Sequence, residues 1–249
     1  MPKKSLNKAK RILAGATLAG SLLLTSGAEK LKNLEEKPPE LRLPYGLVSS
    51  RELRTLLKKM LTQTVPETSR VLTQEEENTL SELISKTLGI KAVSELNGNR
   101  LNHQVGYIGL EQHLPRRAND TLAGRDFPQV GLTSSRGAWG YVPADKEKYY
   151  LAVQTLYLPE WRTRLGELKD WYKFRKMLAV NPETGAAVVA VIADAGPAKW
   201  TGKQFGGSPQ VMHDLGFYPA KTKGKIILLF IDDPDDKIPL GPLNHAPTI

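Results

Sequence analysis

The stretch Lys176 to Pro197, KMLAVNPETGAAVVAVIADAGP, constrains the fold of this chain more than any other. Met177 to Val180 and Val188 to Ala193 are apolar runs of strand length, and the second is rich in β-branched residues. Asn181-Pro182-Glu183-Thr184-Gly185 between them carries the residue types that tight turns require. The unit reads as two strands joined by a short connection. Asp194 follows the second strand as an isolated carboxylate, ahead of Gly196-Pro197.

Short strands recur through the C-terminal half. Gly137 to Val142 and Tyr149 to Tyr157 are enriched in aromatic and β-branched residues and read as strands. Ile226 to Ile231 is an unbroken apolar run, the mark of a strand buried on both faces. Glu160 to Trp171 holds a helical turn or two, and Ser208-Pro209 opens a short helix that Gly216 closes. Strands without long helices between them argue a closed β-barrel rather than a parallel sheet.

Upstream, Leu53, Leu56, Leu57, Met60 and Leu61 fall at helical spacing behind Ser49 or Ser50. Thr73 with Glu76 forms a capping box for a second helix, whose Leu80, Leu83, Ile84, Thr87 and Leu88 share one face before Gly89 ends it. The predicted organisation is a signal peptide or N-terminal anchor over 1–28, a linker over 29–48 and an amphipathic helical pair over 49–96. A polar irregular segment over 97–129, a barrel-like domain over 130–240 and a tail over 241–249 follow.

Lys3, Lys4, Lys8, Lys10 and Arg11, the apolar run Ile12 to Leu24 and the small residues Ser26-Gly27-Ala28 form the pattern of a secretory signal. Export to the periplasm, cell wall or extracellular space is therefore expected, with peripheral membrane contact if the segment stays uncleaved. Those five basic residues account for over half of the formal charge of +9. No acidic residue precedes Glu29, and no basic run is interleaved with aromatics, so no nucleic-acid partner is expected. The chain has no Cys, which excludes disulfides, thiolate catalysis and Cys-based zinc sites.

Within the polar segment, Glu111 and His113 are two positions apart and would share one face of a strand. With His103 they reach the minimum ligand count for zinc, but the HExxH spacing is absent. A structural hydrogen-bonding role and a weak catalytic role are both open for Glu111 and His113, and neither a metal nor a cofactor is expected. Trp139, Trp161, Trp171 and Trp200 all fall in the C-terminal half, where indoles either pack in the core or stack on sugar rings. Asp194 either hydrogen-bonds the turn at Gly196 or acts as an acid.

Asn181 to Gly185, Val188 to Ile192, Asp194-Ala195-Gly196-Pro197, the helix from Ser208 to Gly216 and the closing strand together resemble the double-psi β-barrel of the rare lipoprotein A, barwin and expansin group. The resemblance covers residues from about Val130 to Asp233. It implies a mainly β fold, a six-stranded double-psi β-barrel in the C-terminal half behind a small α-helical N-terminal region. It also implies an exported protein that binds peptidoglycan or a related polysaccharide, with lytic transglycosylase as the catalytic form. Asp194 would then be the general acid, and Trp139, Tyr141, Trp171 and Trp200 would hold substrate. The family's His has no counterpart here, since no His occurs between His113 and His213, and its second acidic residue falls at Gly206 or Gly207. Asp145, Glu167, Asp170, Glu111 or His113 would have to replace them. The alternative is a non-catalytic wall-binding or assembly module that docks a protein partner through residues 49–96.

Overall fold

A computed structural model describes residues 50–243; the expected signal over 1–28, the linker over 29–48 and most of the tail over 241–249 lie outside the described residues. Six strands close a mixed barrel. In chain order the strands are β1 (Ala92–Val93), β2 (Glu95–Leu96), β3 (Asn99–Arg100), β4 (Val105–Leu110), β5 (Tyr150–Val153), β6 (Lys176–Val180), β7 (Ala187–Asp194), β8 (Phe205–Gly207), β9 (Lys223–Ile231) and β10 (Gly241–Pro242). Around the barrel the order is β4, β8, β5, β7, β6, β9 and back to β4. The β4–β8 and β5–β7 pairs are parallel and the other four antiparallel. This arrangement is compatible with a double-psi barrel, and the fold is mainly β.

Residues 177–180 of β6, 187–193 of β7 and 226–231 of β9 are all apolar because they are covered on both sides. Met177, Ala179, Val188, Ala190, Ile192, Leu228 and Phe230 fill the barrel interior. Their alternates Leu178, Val180, Val189, Ile227 and Leu229 face outward under two helices. These are α1 (Ser50–Thr64) and α2 (Gln74–Leu88). Leu53, Leu57 and Leu61 of α1 and Leu80, Ile84 and Leu88 of α2 lie in that layer, each at most 6% exposed. At roughly 1.5–3 kcal/mol per buried aliphatic side chain, the layer is a large share of the apolar stabilisation. The capping box of α2 forms as expected: Glu76 N donates to Thr73 Oγ1 and Thr73 N to Glu76 Oε2, and Gly89 ends the helix at φ 66°. Three shorter helices complete the set, α3 (Ala144–Glu147), α4 (Leu165–Tyr172) and α5 (Pro209–Asp214).

The start of the barrel differs from the sequence reading. The first strand is β4, inside the stretch read as polar and irregular, and Gly137 to Val142 is a turn instead of a strand. Gly106 and Gly109 weaken the strand signal of VGYIGL, yet both are needed, because the side chains of Gln204 and Lys203 lie where a Cβ would stand. In the other stretch, Gly140 N donates to Gly137 O, and Gly140 adopts φ 94°, closing a tight turn. Tyr149 to Tyr157 is strand only over Tyr150–Val153 and then turns into a 3-10 helix at Thr155–Tyr157. Past Asp232, Gly241 and Pro242 pair with Val189 and Val188 as β10.

Candidate functional site

One row of residues crosses four adjacent strands of the barrel: Gly109 on β4 pairs with Gly206 on β8, Gly206 with Ala152 on β5, and Ala152 with Asp194 on β7. Nothing larger than a methyl group stands on the first three positions. Charged side chains from either side therefore lie down against the sheet. A Cβ at Gly206 would collide with the Glu111 carboxyl group, and one at Gly109 with the Lys203 chain. Lys203 Nζ is 3.4 Å from Glu111 Oε1, with the two side chains 21% and 30% exposed.

Asp194 reaches this row through a bulge. The register steps from Leu151 opposite Ile192 to Ala152 opposite Asp194, so Ala193 is the extra residue. Strict alternation would turn Asp194 inward with Ala190 and Ile192; the extra residue breaks that alternation and leaves Asp194 half-buried. Its Oδ1 accepts from Ala138 N at 2.9 Å and Ala195 N at 2.9 Å. Among the described residues no hydrogen bond reaches Oδ2. The first of those donors comes from the turn at Gly137 to Gly140, and it can approach because a Cβ at Gly137 would stand 2.7 Å from Ala193 O.

The electrostatics of the site centre on Glu111. Burial pushes the Glu111 pKa above its ordinary value of 4.5; Lys203 opposes the shift and the charge of Asp194 adds to it. Tyr150 on β5 feels Glu111 and Asp194 as well, after its own burial, and is raised well above its usual value. The Glu111 carboxyl group, one residue past the end of β4, thus lies over Gly206.

The other sequence-derived residues divide. His113 is 5% exposed and held by Glu147 Oε1 at 3.0 Å from Nδ1 and Phe127 O at 3.2 Å from Nε2. Arg125 joins Glu147 to Asp120 beside it, so His113 belongs to a buried ionic network that pins the segment after β4. Its pairing with Glu111 on one face does not occur. Trp139 donates its indole N–H to Lys169 O at 2.6 Å, and Trp171 packs edge-on against Tyr172 and Phe230, so both serve the fold. Tyr141 is exposed, with the Arg136 guanidinium 5.5 Å from its ring. Trp200 is 89% exposed, in a 3-10 turn three residues before Lys203. Asp145 and Glu167 are taken up by Lys146 and Arg164 on the surface.

Sequence reasoning missed Lys203 and Gln154. Gln154 Nε2 donates to Pro197 O and Lys203 O, both at 3.0 Å, and so clamps the two ends of the segment that carries Trp200. A lone Gln after a strand carries no signal of such a role. Lys203 is likewise one Lys among many, legible only once β4 and β8 are known to be neighbours. No family model matches this chain, and no curated protein matches it.

Proposed function

We propose that this chain is an exported cell-wall protein, of the rare lipoprotein A, barwin and expansin type, that binds peptidoglycan or a related glycan on this face of the barrel and cleaves it. The observation that carries the reading is that Asp194 stands at one end of a row whose other members bear no side chain beyond a methyl, while the Glu111 carboxyl group lies over Gly206 of the same row. Two carboxylates beside a row of small residues suit a polymer laid across this face once the side chains of Glu111 and Lys203 lift from it, and exposed Trp200 offers an indole face to a sugar ring.

In this reading Glu111 rather than Asp194 is the acid, since burial raises its pKa above the ordinary value. It protonates the glycosidic oxygen as the bond to the anomeric carbon breaks. The substrate's own hydroxyl attacks that carbon and its proton passes to Asp194, giving an anhydro-sugar end without consuming water. Lys203 Nζ, 3.4 Å from Glu111 Oε1, must move away for Glu111 to take up a proton and meet substrate.

Incubating the purified protein with peptidoglycan sacculi tests this by mass spectrometry of soluble anhydro-sugar fragments. Glu111→Gln and Asp194→Asn should each lower fragment release by about 100-fold or more. Release unchanged in both variants sinks the mechanism. The non-catalytic reading rests on the Lys203 contact, which occupies Glu111; it predicts no fragments but capture by sacculi that Trp200→Ala weakens. Docking of a protein partner through the helices would have to use their outer side, where Leu56 is 43% exposed, because their apolar faces lie on the barrel.

A further inference from the structure

A second pocket opens where β6 begins and β9 ends, with a cavity volume of about 370 Å³. One wall is the segment 173–176 and the other the segment 231–236, with the β2–β3 turn at the side. The walls are of opposite charge. Lys173 and Arg175 stand on the first, Asp232 and Asp236 on the second. Of the lining cations only Lys176 crosses the space, pairing with Asp233 at 2.8 Å and Asp236 at 2.5 Å. Among the described residues neither Lys173 nor Arg175 forms an ion pair.

We propose that this pocket binds a small zwitterion, a free amino acid or short unblocked peptide, with its carboxylate on Arg175 and Lys173 and its ammonium group on Asp232 and Asp236. Arg175 is preset for the first contact. Its guanidinium lies 4.5 Å from the Trp171 ring centroid and its Nε donates to Trp171 O at 3.2 Å, which fixes the plane. Both terminal nitrogens are left without a protein acceptor, a fork that matches a carboxylate. Burial lowers the pKa of Arg175, so the group bears a desolvation cost that no carboxylate of the chain offsets.

The backbone of that wall is also unusual. Phe174, between the two cations, adopts φ 54°, a conformation that bulky side chains rarely take. It is held there by Phe174 N to Ile192 O at 2.9 Å and Ile192 N to Arg175 O at 3.0 Å. Asn97 and Asp236 share the positive φ, but their residue types tolerate it, and Asn97 sits in a hairpin turn. On the acidic wall, Asp232 pairs with exposed Lys91, and Asp236 is 85% exposed. Each carboxylate keeps lone pairs for a second cation.

The proposal does not depend on the glycan reading, and the test separates them. Calorimetric titration of the full chain with alanylalanine, N-acetyl-alanylalanine and alanylalanine amide should show saturable binding of the unblocked dipeptide, with each blocked form weaker by about tenfold or more. Arg175→Gln should abolish binding. Because Arg175 also packs on Trp171, Lys173→Gln and Asp236→Asn, both at exposed positions, carry the same test; each should weaken the dipeptide several-fold while circular dichroism stays unchanged. Asp194→Asn should bind it as the wild type does. Saturable binding of the acetylated form equal to the unblocked one would make this a simple anion site and overturn the proposal. So would the absence of saturable heat, or unweakened binding in both surface variants.

Discussion

Lys203 sets the electrostatics of the candidate site although it is neither an acid nor a base in the proposed chemistry. Burial raises the pKa of Glu111, and the neighbouring ammonium group pulls it back. Replacing Lys203 by Met keeps the stem that lies over Gly109 and removes the charge. With the opposing cation gone, the protonated form of Glu111 persists to higher pH. The basic limb of the pH profile for fragment release from sacculi should therefore move upward in Lys203→Met, with the acidic limb less affected. A basic limb that stays in place, or moves down, would show that Glu111 is not the group whose proton is used. Asp194 stood out in the sequence as a candidate from its position after an apolar strand. Glu111 was legible only as a carboxylate near a His, because its real neighbours are 92 residues away in sequence and meet it through strand pairing.

At the scale of the strand, glycine decides where the charged groups can lie. Gly206→Ala would drive a methyl into the Glu111 carboxyl group, the far end of a flexible side chain that can swing away. Fragment release should fall by about tenfold or more while the melting temperature stays within a few degrees. Gly137→Ala is the contrast, since its methyl would meet the backbone oxygen of Ala193 at 2.7 Å, and backbone cannot yield cheaply. If Gly206→Ala melts as low as Gly137→Ala, the row is a structural device and the activity argument fails. The same glycines explain the misread elements. Gly106 and Gly109 dilute the apolar pattern of β4, and their reason lies on β8, out of reach of a local reading. Gly137 to Val142 has strand composition but serves as a turn, because Trp139 is tied to Lys169 O and Ala138 N to Asp194. By contrast β6, β7 and β9 were legible because their buried stretches must be apolar on both faces when helices cover one side and the barrel interior the other.

Across the whole molecule, the helices and the barrel share one apolar layer and should unfold together. Leu178, Val180, Ile227 and Leu229 bury their side chains against Leu57, Leu61, Leu80 and Ile84, so each partner would expose an apolar layer without the other. The chain supplies separate reporters for the two parts: all four Trp lie at or beyond Trp139, in the barrel half, while α1 and α2 are the longest helices of the described residues. Tryptophan fluorescence thus follows the barrel, and the far-ultraviolet helical signal is dominated by the helical layer. The two probes should give coincident denaturant transitions. Ile84→Ala, at a fully buried position of α2, should cost about 2–5 kcal/mol and move both midpoints by the same amount. Loss of helical signal ahead of the fluorescence change, or a fluorescence midpoint that Ile84→Ala leaves in place, would mean that the barrel stands without its helices. The outward faces of β6, β7 and β9 and the apolar faces of the helices would then be available to a partner, which is what the reading in which residues 49–96 dock a protein requires.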